Sequence, residues 1–449
     1  MDTLREAKTK LATANKDIMG FLNAFVDEKS FVETDAFVCS KDDVSVSPGE
    51  GVVSGFATVD GVSVCLFATN PSVLKGSIGE LNAKKITRTV NNALRMGKPL
   101  IAVWDTSGAR FTEGIECLEG YGSILRAFTV AYGDIPIISV IKGNNLGLSS
   151  YVAGISDFVI ALKDGVSATS SPLVLSAKTG SKNAGTADEL FKRGIITNLV
   201  KDDLRSTVSG ALKVFEGGAE SGDDANRVCK GLKLGASSDT VIKEVFDKNS
   251  FLAVRCGFAP EVTTGFATLG DINVGVIATS SKVGEGRLTA DGCIKICEFL
   301  NVCENAETPV VFLTDCVGTE ISTDDTRLIR EMSNLVYRVN SLETDAFAVV
   351  YGKAVGGAYV SLVAPCAYKI VWEGAYVGTL DSEAAARLVY ADEIKSAKDK
   401  DKAAAKLAKA YSEEHGSALN IARSGYFDNV IEPNLTRQFL LAALIAHVE

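Results

Sequence analysis

Two apolar, strand-length stretches lie back to back in residues 51–70, and an amphipathic segment follows them. In residues 79–96, Leu81, Ile86, Val90 and Leu94 recur at helical spacing, which predicts a helix with one buried face. Residues 99–104 are apolar without a break and run up to Asp105 and Gly108. A strand with no polar alternation suits a sheet covered on both faces. Residues 137–141 form a second such strand, which enters a Gly-rich turn at 143–147 before a helix begins. Strands alternating with helices in this way predict α/β layers.

The whole plan then returns. Gly55, Phe56, Ala57 and Thr58 recur as Gly265, Phe266, Ala267 and Thr268, and Ala68-Thr69 recurs as Ala278-Thr279, all at one fixed spacing of 210. The same spacing carries Asp105 and Gly108 onto Asp315 and Gly318, Gly147 onto Gly357, and Leu148 onto Ala358. A repeat of this length is a duplicated domain, not a solenoid unit. The Gly- and acid-rich stretch 215–225 marks the seam, giving expected domains 1–225 and 226–449. The lead-ins echo each other as well, Val26 to Phe31 against Val245 to Phe251. Residues 1–48 read as a helical arm with an irregular approach, and 399–411 as an exposed Ala/Lys helix.

Length and composition narrow the class. A chain of 449 residues holds two or three domains with full cores. Its formal net charge of −10 argues against nucleic acid as a partner, which needs basic patches, yet leaves room for a local pocket for a small anion. Ten cysteines are scattered without a disulfide framework. Cys293, Cys297 and Cys303 start at helical spacing and then drift, with no CxxC pair or histidine beside them. They read as buried free thiols in a reducing compartment, with no metal site. No apolar run approaches the roughly 20 residues of a membrane span, and the first residues lack a signal-peptide core. The expectation is a cytoplasmic protein with no direct membrane insertion.

Candidate chemistry is sparse in side chains. Only His415 and His447 exist, both near the C-terminus, and neither sits like the base of a Ser or Cys triad. The Gly-rich turns are the better candidates. At Gly356-Gly357-Ala358-Tyr359 a strand meets a helix start, where backbone N–H groups lack partners and face outward. Such donors form an oxyanion hole when aimed at a carbonyl whose oxygen gains charge. Equally, the glycines can serve only to let strand and helix pack closely. Neither turn reads as a dinucleotide or P-loop fingerprint. Asp105 and Asp315 end buried strands and read as caps of the turns that follow them, with an acid or base role as the alternative. Arg110 can hold a phosphate or carboxylate, or make a structural ion pair.

Taken in order, several segments resemble one family. They include Ser30 to Glu33, Gly49 to Val53, Gly76 to Gly79, Ser107 to Arg110, Glu113-Gly114, Gly120 to Gly122, Lys353 to Tyr359, Gly425 to Pro433 and Thr436-Arg437. The chain is similar to the carboxyltransferase (β-type) subunits of biotin-dependent acyl-CoA carboxylases, such as propionyl-CoA carboxylase, and to the related decarboxylase subunits. The resemblance implies two tandem crotonase-like domains. It places the active site between the first domain of one subunit and the second domain of its neighbour, within a homo-oligomer, dimer or hexamer. It implies that Gly147 and Leu148 donate N–H bonds to the acyl-CoA thioester oxygen, and Gly357 and Ala358 to the ureido oxygen of biotin. Gly356, Tyr359, Val360, Gly108, Ala109 and Arg110 are the implied cofactor-binding residues. No Met-Lys-Met attachment sequence occurs, so the biotin is expected on a separate carrier protein, with a biotin carboxylase or a decarboxylase membrane subunit as a further partner.

The chain departs from the family pattern at four places. The first turn reads Gly147-Leu148-Ser149 where two glycines and an alanine are usual. Thr106 precedes Ser107 where a Gly-rich pair is usual. Asp315 to Thr319 lacks the family's Pro and aromatic residue, and Val360 stands where many propionyl-type members carry Asp. The departures at Leu148 and around Val317 motivate a rival reading, a non-catalytic assembly subunit, and a third is a biotin-independent crotonase-type acyl-CoA enzyme.

Overall fold

In the computed structural model, the described residues are 4–40, 47–200, 203–217, 222–321 and 326–448. They fall into two compact units, Met1–Glu216 and Gly217–Glu449. The division lies ahead of the 225/226 boundary expected from composition. The reason is that the acidic residues of the seam bond into the second unit. Asp223 pairs with Arg227 and Lys248, and the Asp224 carbonyl accepts from Arg437. The centre of the seam, 218–221, lies outside the described residues.

The first unit is built on one sheet among its described residues. Its strands are β1 (Val32–Thr34), β2 (Val52–Val59), β3 (Val62–Thr69), β4 (Leu100–Thr106), β5 (Ile137–Leu146), β6 (Phe158–Leu162), β7 (Val166–Ala168) and β8 (Asn198–Val200). The order is β1-β2-β3-β4-β5-β6-β8, with β7 pairing the far end of β5. The first three strands run antiparallel, and from β3 onward every pairing is parallel. The helices Glu80–Met96 and Ile115–Ala131 supply the crossovers that parallel pairing demands. Between them and the sheet, Phe67, Trp104 and Phe128 pack edge-on or tilted, with centroids 5.1 to 6.4 Å apart.

The helix Glu80–Met96 buries Ile86 and Val90, while Leu81 and Leu94 are only half-buried. The same inner face buries Ala83 and Ala93 and also the polar residues Asn82, Lys85 and Thr89. Asn82 accepts from the Gly79 amide and donates to the carbonyls of Glu50 and Ser77, fixing the helix start. Lys85, 2% exposed, donates to the Val52 carbonyl where β2 begins. Lys295 does the same in the second unit toward Phe258 and Val262. Burial pushes both ammonium groups down to about 8.

The second unit repeats the connectivity with β9 (Leu252–Val254), β10 (Val262–Leu269), β11 (Ile272–Thr279), β12 (Arg287–Leu288), β13 (Val310–Cys316), β14 (Gly318–Thr319), β15 (Ala346–Val355), β16 (Tyr368–Trp372), β17 (Tyr376–Gly378) and β18 (Asn429–Ile431). Its main sheet runs β18-β16-β15-β13-β11-β10-β9, with β17 on the end of β15. The internal repeat is not of constant spacing. Leu100 pairs with Ile137 as Val310 pairs with Ala346, one residue short of 210 on the second strand. The lost residue falls between the paired strands, where the helix Ile115–Ala131 has the shorter counterpart Thr326–Asn340. From there onward the register shifts by one, so that Gly147 corresponds to Gly356, Leu148 to Gly357 and Ser149 to Ala358. This corrects the pairing of Gly147 with Gly357.

Candidate active site

In the first unit β5 ends at Leu146, and Gly147 turns the chain at φ 67°, ψ −133° into the short helix Leu148–Gly154. That conformation is open to glycine and costly to any other residue. The Gly147 amide donates to the Ala168 carbonyl at 2.8 Å. Gly147, implied as a donor to substrate, therefore has its hydrogen committed to β7. Its contribution is the turn itself. Unpartnered amides among the described residues begin with Leu148 and continue with Ser149. The Leu148 side chain packs against the hydrophobic core of the unit. The Ser149 hydroxyl meets the Tyr121 hydroxyl at 2.6 Å, both groups buried.

The loop after β4 lies against this turn. Gly108, at φ 93°, comes so close that a Cβ there would sit 2.8 Å from the Leu146 carbonyl oxygen. Ile78 binds the loop from its other side, donating to Gly108 and accepting from Arg110 at 2.8 Å each. The Ala109 amide between them has no partner among the described residues. Arg110 donates to Glu50 at 2.7 Å, to Glu113 at 2.8 Å and to the Ser77 carbonyl at 3.1 Å. With Glu50 1% exposed, this is the structural ion pair of the two readings offered for Arg110. It fixes the loop that carries Ala109, and a phosphate clamp would need these donors released.

The second turn has the same construction. Gly356, at φ 52°, ψ −119°, precedes the helix Gly357–Leu362, and its amide donates to the Gly378 carbonyl at 2.9 Å. The amides of Gly357 and Ala358 have no partner among the described residues. Ala358 is fully buried, and a Cβ on Gly357 would come 3.4 Å from both Met332 and Thr319. Beside this turn opens a cavity of about 370 Å³ lined by Gly356, Tyr359, Val360, Val377, Tyr426 and Phe427, among others. The Tyr359 and Phe427 rings lie 6.2 Å apart, and burial pushes the Tyr359 phenol up. An apolar pocket beside two amides without partners suits a neutral ligand that carries a carbonyl.

The two strand-end aspartates do not cap their own turns, as the sequence suggests. The Gly108 amide donates to the Thr106 hydroxyl instead. Asp105 and Asp315 each reach the neighbouring strand, β5 and β15 respectively. His415 and His447 are exposed, near Glu414 and Asp345. No cluster of three His, Cys, Asp or Glu that could hold a metal occurs among the described residues. No helix there is long and apolar enough to cross a membrane.

Comparison with known proteins matches this picture over nearly the full length. The family described as the carboxyl transferase domain matches residues 18–204 and 234–449. The propionyl-CoA carboxylase carboxyltransferase subunit of Haloferax mediterranei is 29% identical over 94% of this chain and 88% of its own length. The methylmalonyl-CoA decarboxylase subunit alpha of Veillonella parvula is 29% identical over 93% of this chain and 87% of its own. Among solved structures, the transcarboxylase 12S hexamer with methylmalonyl-CoA and methylmalonic acid bound has a TM-score of 0.89 at 26% identity, covering 100% of this chain and 96% of that one.

Proposed function

Because the chain belongs to the carboxyl transferase domain family, we propose that it moves a carboxyl group between biotin on a separate carrier protein and the α-carbon of a short acyl-CoA. Its two units are tandem crotonase-like α/β domains. The observation that carries the reading is the twin turn. Each unit presents two consecutive amides without partners, at Leu148 and Ser149 and at Gly357 and Ala358, behind a glycine whose own amide is locked to the sheet.

Biotin, when bound, supplies the ureido nitrogen that carries the carboxyl and takes up the α-proton. The protein contributes donors and orientation. Amides at 148 and 149, with Ala109 on the adjoining loop, favour the thioester oxygen as it gains negative charge. Those at 357 and 358 do the same for the ureido oxygen, and the apolar cavity beside them holds the ring away from water. Removing one donor of this kind typically costs about 3 kcal/mol of transition-state stabilisation. Chemistry that runs on backbone groups accounts for a site with no histidine and no metal ligand cluster among the described residues.

The assembly-subunit reading rests on Leu148 and on the residues around Val317, and the first turn bears on it directly. Leu148 packs on the core and Ser149 on Tyr121, and both amides stay without partners. That arrangement supports a working turn. In the test, the purified protein is given either a biotinylated carrier domain with methylmalonyl-CoA or malonyl-CoA, or the carboxybiotin form of that carrier with propionyl-CoA or acetyl-CoA. Carboxyl transfer requiring both biotin and the CoA thioester is expected. No transfer with any short acyl-CoA overturns the proposal.

A further inference from the structure

Each unit carries an interlock between an aspartate and a glycine just upstream of its turn. On β4 the strand register against β5 shifts between Trp104 and Thr106, and on β13 it shifts against β15 between Thr314 and Cys316. The residue skipped is Asp105 in one case and Asp315 in the other. Each has its amide held by a threonine of the preceding strand, Thr69 at 2.6 Å and Thr279 at 3.0 Å. Each carboxylate then crosses to the next strand and accepts a backbone N–H, from Asn144 at 3.2 Å and from Lys353 at 2.9 Å. Those amides lie three residues before Gly147 and Gly356, the residues that make the turns.

The crossing is possible only because the facing residue has no side chain. A Cβ on Gly143 would overlap the Asp105 carboxylate, and a Cβ on Gly352 would overlap that of Asp315. The second carboxylate oxygens are engaged differently. Asp105 takes the Lys142 ammonium at 2.8 Å, and Asp315 takes the amide and hydroxyl of Ser281. What the two units share is therefore the Asp-to-backbone bond, the glycine opposite it and the register shift. Their differing outer partners show that the shared part is not an incidental ion pair.

We infer that Asp105 and Asp315 are positioning residues for carboxyl transfer, each holding the strand end from which its turn presents amides to a carbonyl oxygen. The inference rests on the function proposed above. Neither carboxylate touches the reacting groups. Each fixes where β5 or β15 stops being a regular strand, and so where the amides after Gly147 or Gly356 point. A small displacement of such donors is costly in rate, because a misplacement of about 1 Å can cost on the order of 100-fold.

The test compares Asp315→Ala, Asp315→Asn and Gly352→Ala with wild type, alongside Asp105→Ala, Asp105→Asn and Gly143→Ala. Steady-state transfer is measured together with CoA dissociation constants and thermal midpoints. Wild-type transfer establishes the underlying reaction; its absence sinks the proposed function, not this inference. Given that reaction, the alanine variants are expected to lose about 10- to 100-fold in kcat with KM and CoA affinity nearly unchanged. The asparagine variants, which keep an acceptor for the Asn144 or Lys353 amide, recover most of that loss. Gly352→Ala, which displaces the carboxylate without removing it, lowers kcat like Asp315→Ala, and the double variant is no worse than either single. Folded variants with wild-type kcat overturn the inference, as do double variants whose losses multiply. If an aspartate-to-alanine protein fails to fold, the Gly143→Ala and Gly352→Ala proteins decide by the same split between kcat and KM.

Discussion

Arg437 donates to Asp247 at 2.5 Å with both side chains wholly excluded from solvent. Asp247 in turn accepts the amides of Gly270 and Asp271, tying the β10–β11 hairpin to the C-terminal helix Thr436–Val448. The first unit builds the same clamp from Arg205, Asp27 and the amides of Asp60 and Gly61, but there the pair is open to water. Removing one partner of a buried pair strands a charge, which costs about 3–5 kcal/mol. Arg437→Met is therefore expected to lower the unfolding free energy of the second unit by that amount, while Arg205→Met leaves the first close to wild type. The protein has one tryptophan in each unit, and Trp372 donates to Thr436, the neighbour of Arg437. Urea titration followed by Trp372 fluorescence in a Trp104→Phe background reads the effect directly.

Ser149 and Tyr121 provide a second measurement. Their hydroxyls meet in a buried site next to the first turn, and the second unit has Ala358 at the corresponding position. Ser149→Ala leaves the phenol without its partner and is expected to cost about 1–3 kcal/mol. Tyr121→Phe added to it restores part of the loss, because both polar groups are then gone. A double-mutant cycle by chemical denaturation should show a coupling of about 1 kcal/mol; an additive cycle would mean that the contact contributes nothing.

Leu148 packs against the core of the first unit, and the second unit has Gly357 at the corresponding position, with Met332 and Thr319 close by. Leu148→Gly gives the first turn the local sequence of the second apart from Ser149. It is expected to lower stability by roughly 2–5 kcal/mol, as for other large-to-small changes at packed sites. Carboxyl transfer persists, since the amide remains. The ratio of kcat/KM for butyryl-CoA over acetyl-CoA is expected to rise, and an unchanged ratio would show that Leu148 does not bound the acyl group.

Stability should also fall on the alkaline side. Burial pushes the Cys65, Cys297 and Cys316 thiols up to about 11 and Cys366 to about 12, against an ordinary value of 9.0. A thiol raised in the folded state contributes its full stability below pH 9, where both states are protonated. That contribution is lost as pH rises from 9 through 11, because the unfolded chain releases protons first. Lys85 and Lys295, pushed down to about 8, act in the opposite sense between 8 and 10.5, but they are outnumbered. The urea midpoint should therefore drop between pH 9 and pH 10.5, where four thiols lose more than two lysines gain, and Cys366→Ala should reduce the drop. In native protein at pH 8, a thiol reagent should modify the exposed Cys256 first.

Much of the architecture is legible in the sequence, because unbroken apolar strands and one long repeat leave few arrangements open. Ile86 and Val90 sit where periodicity places them. The polar members of the same buried face, Asn82 and Lys85, follow no apolar pattern, and their role appears only with the carbonyls they bond. The spacing of the repeat holds through Asp105 and Gly108 and then slips, since one residue lost between two paired strands leaves no mark that simple spacing detects. The free amides are legible as a class but not by number, because the bond from Gly147 to Ala168 is set by where β7 adds to β5. The partner of Arg437 lies 190 residues away along the chain, beyond any local signal.

The interlock of Asp with a bare backbone position is complete within each half. Among the described residues, the hydrogen bonds that shape each turn come from its own half. Each half can thus differ from the other at its turn, with Leu148 and Ser149 in one and Gly357 and Ala358 in the other, while both keep the same brace. A half that braces its own turn can change the residues that follow the turning glycine without loosening the grip of its twin.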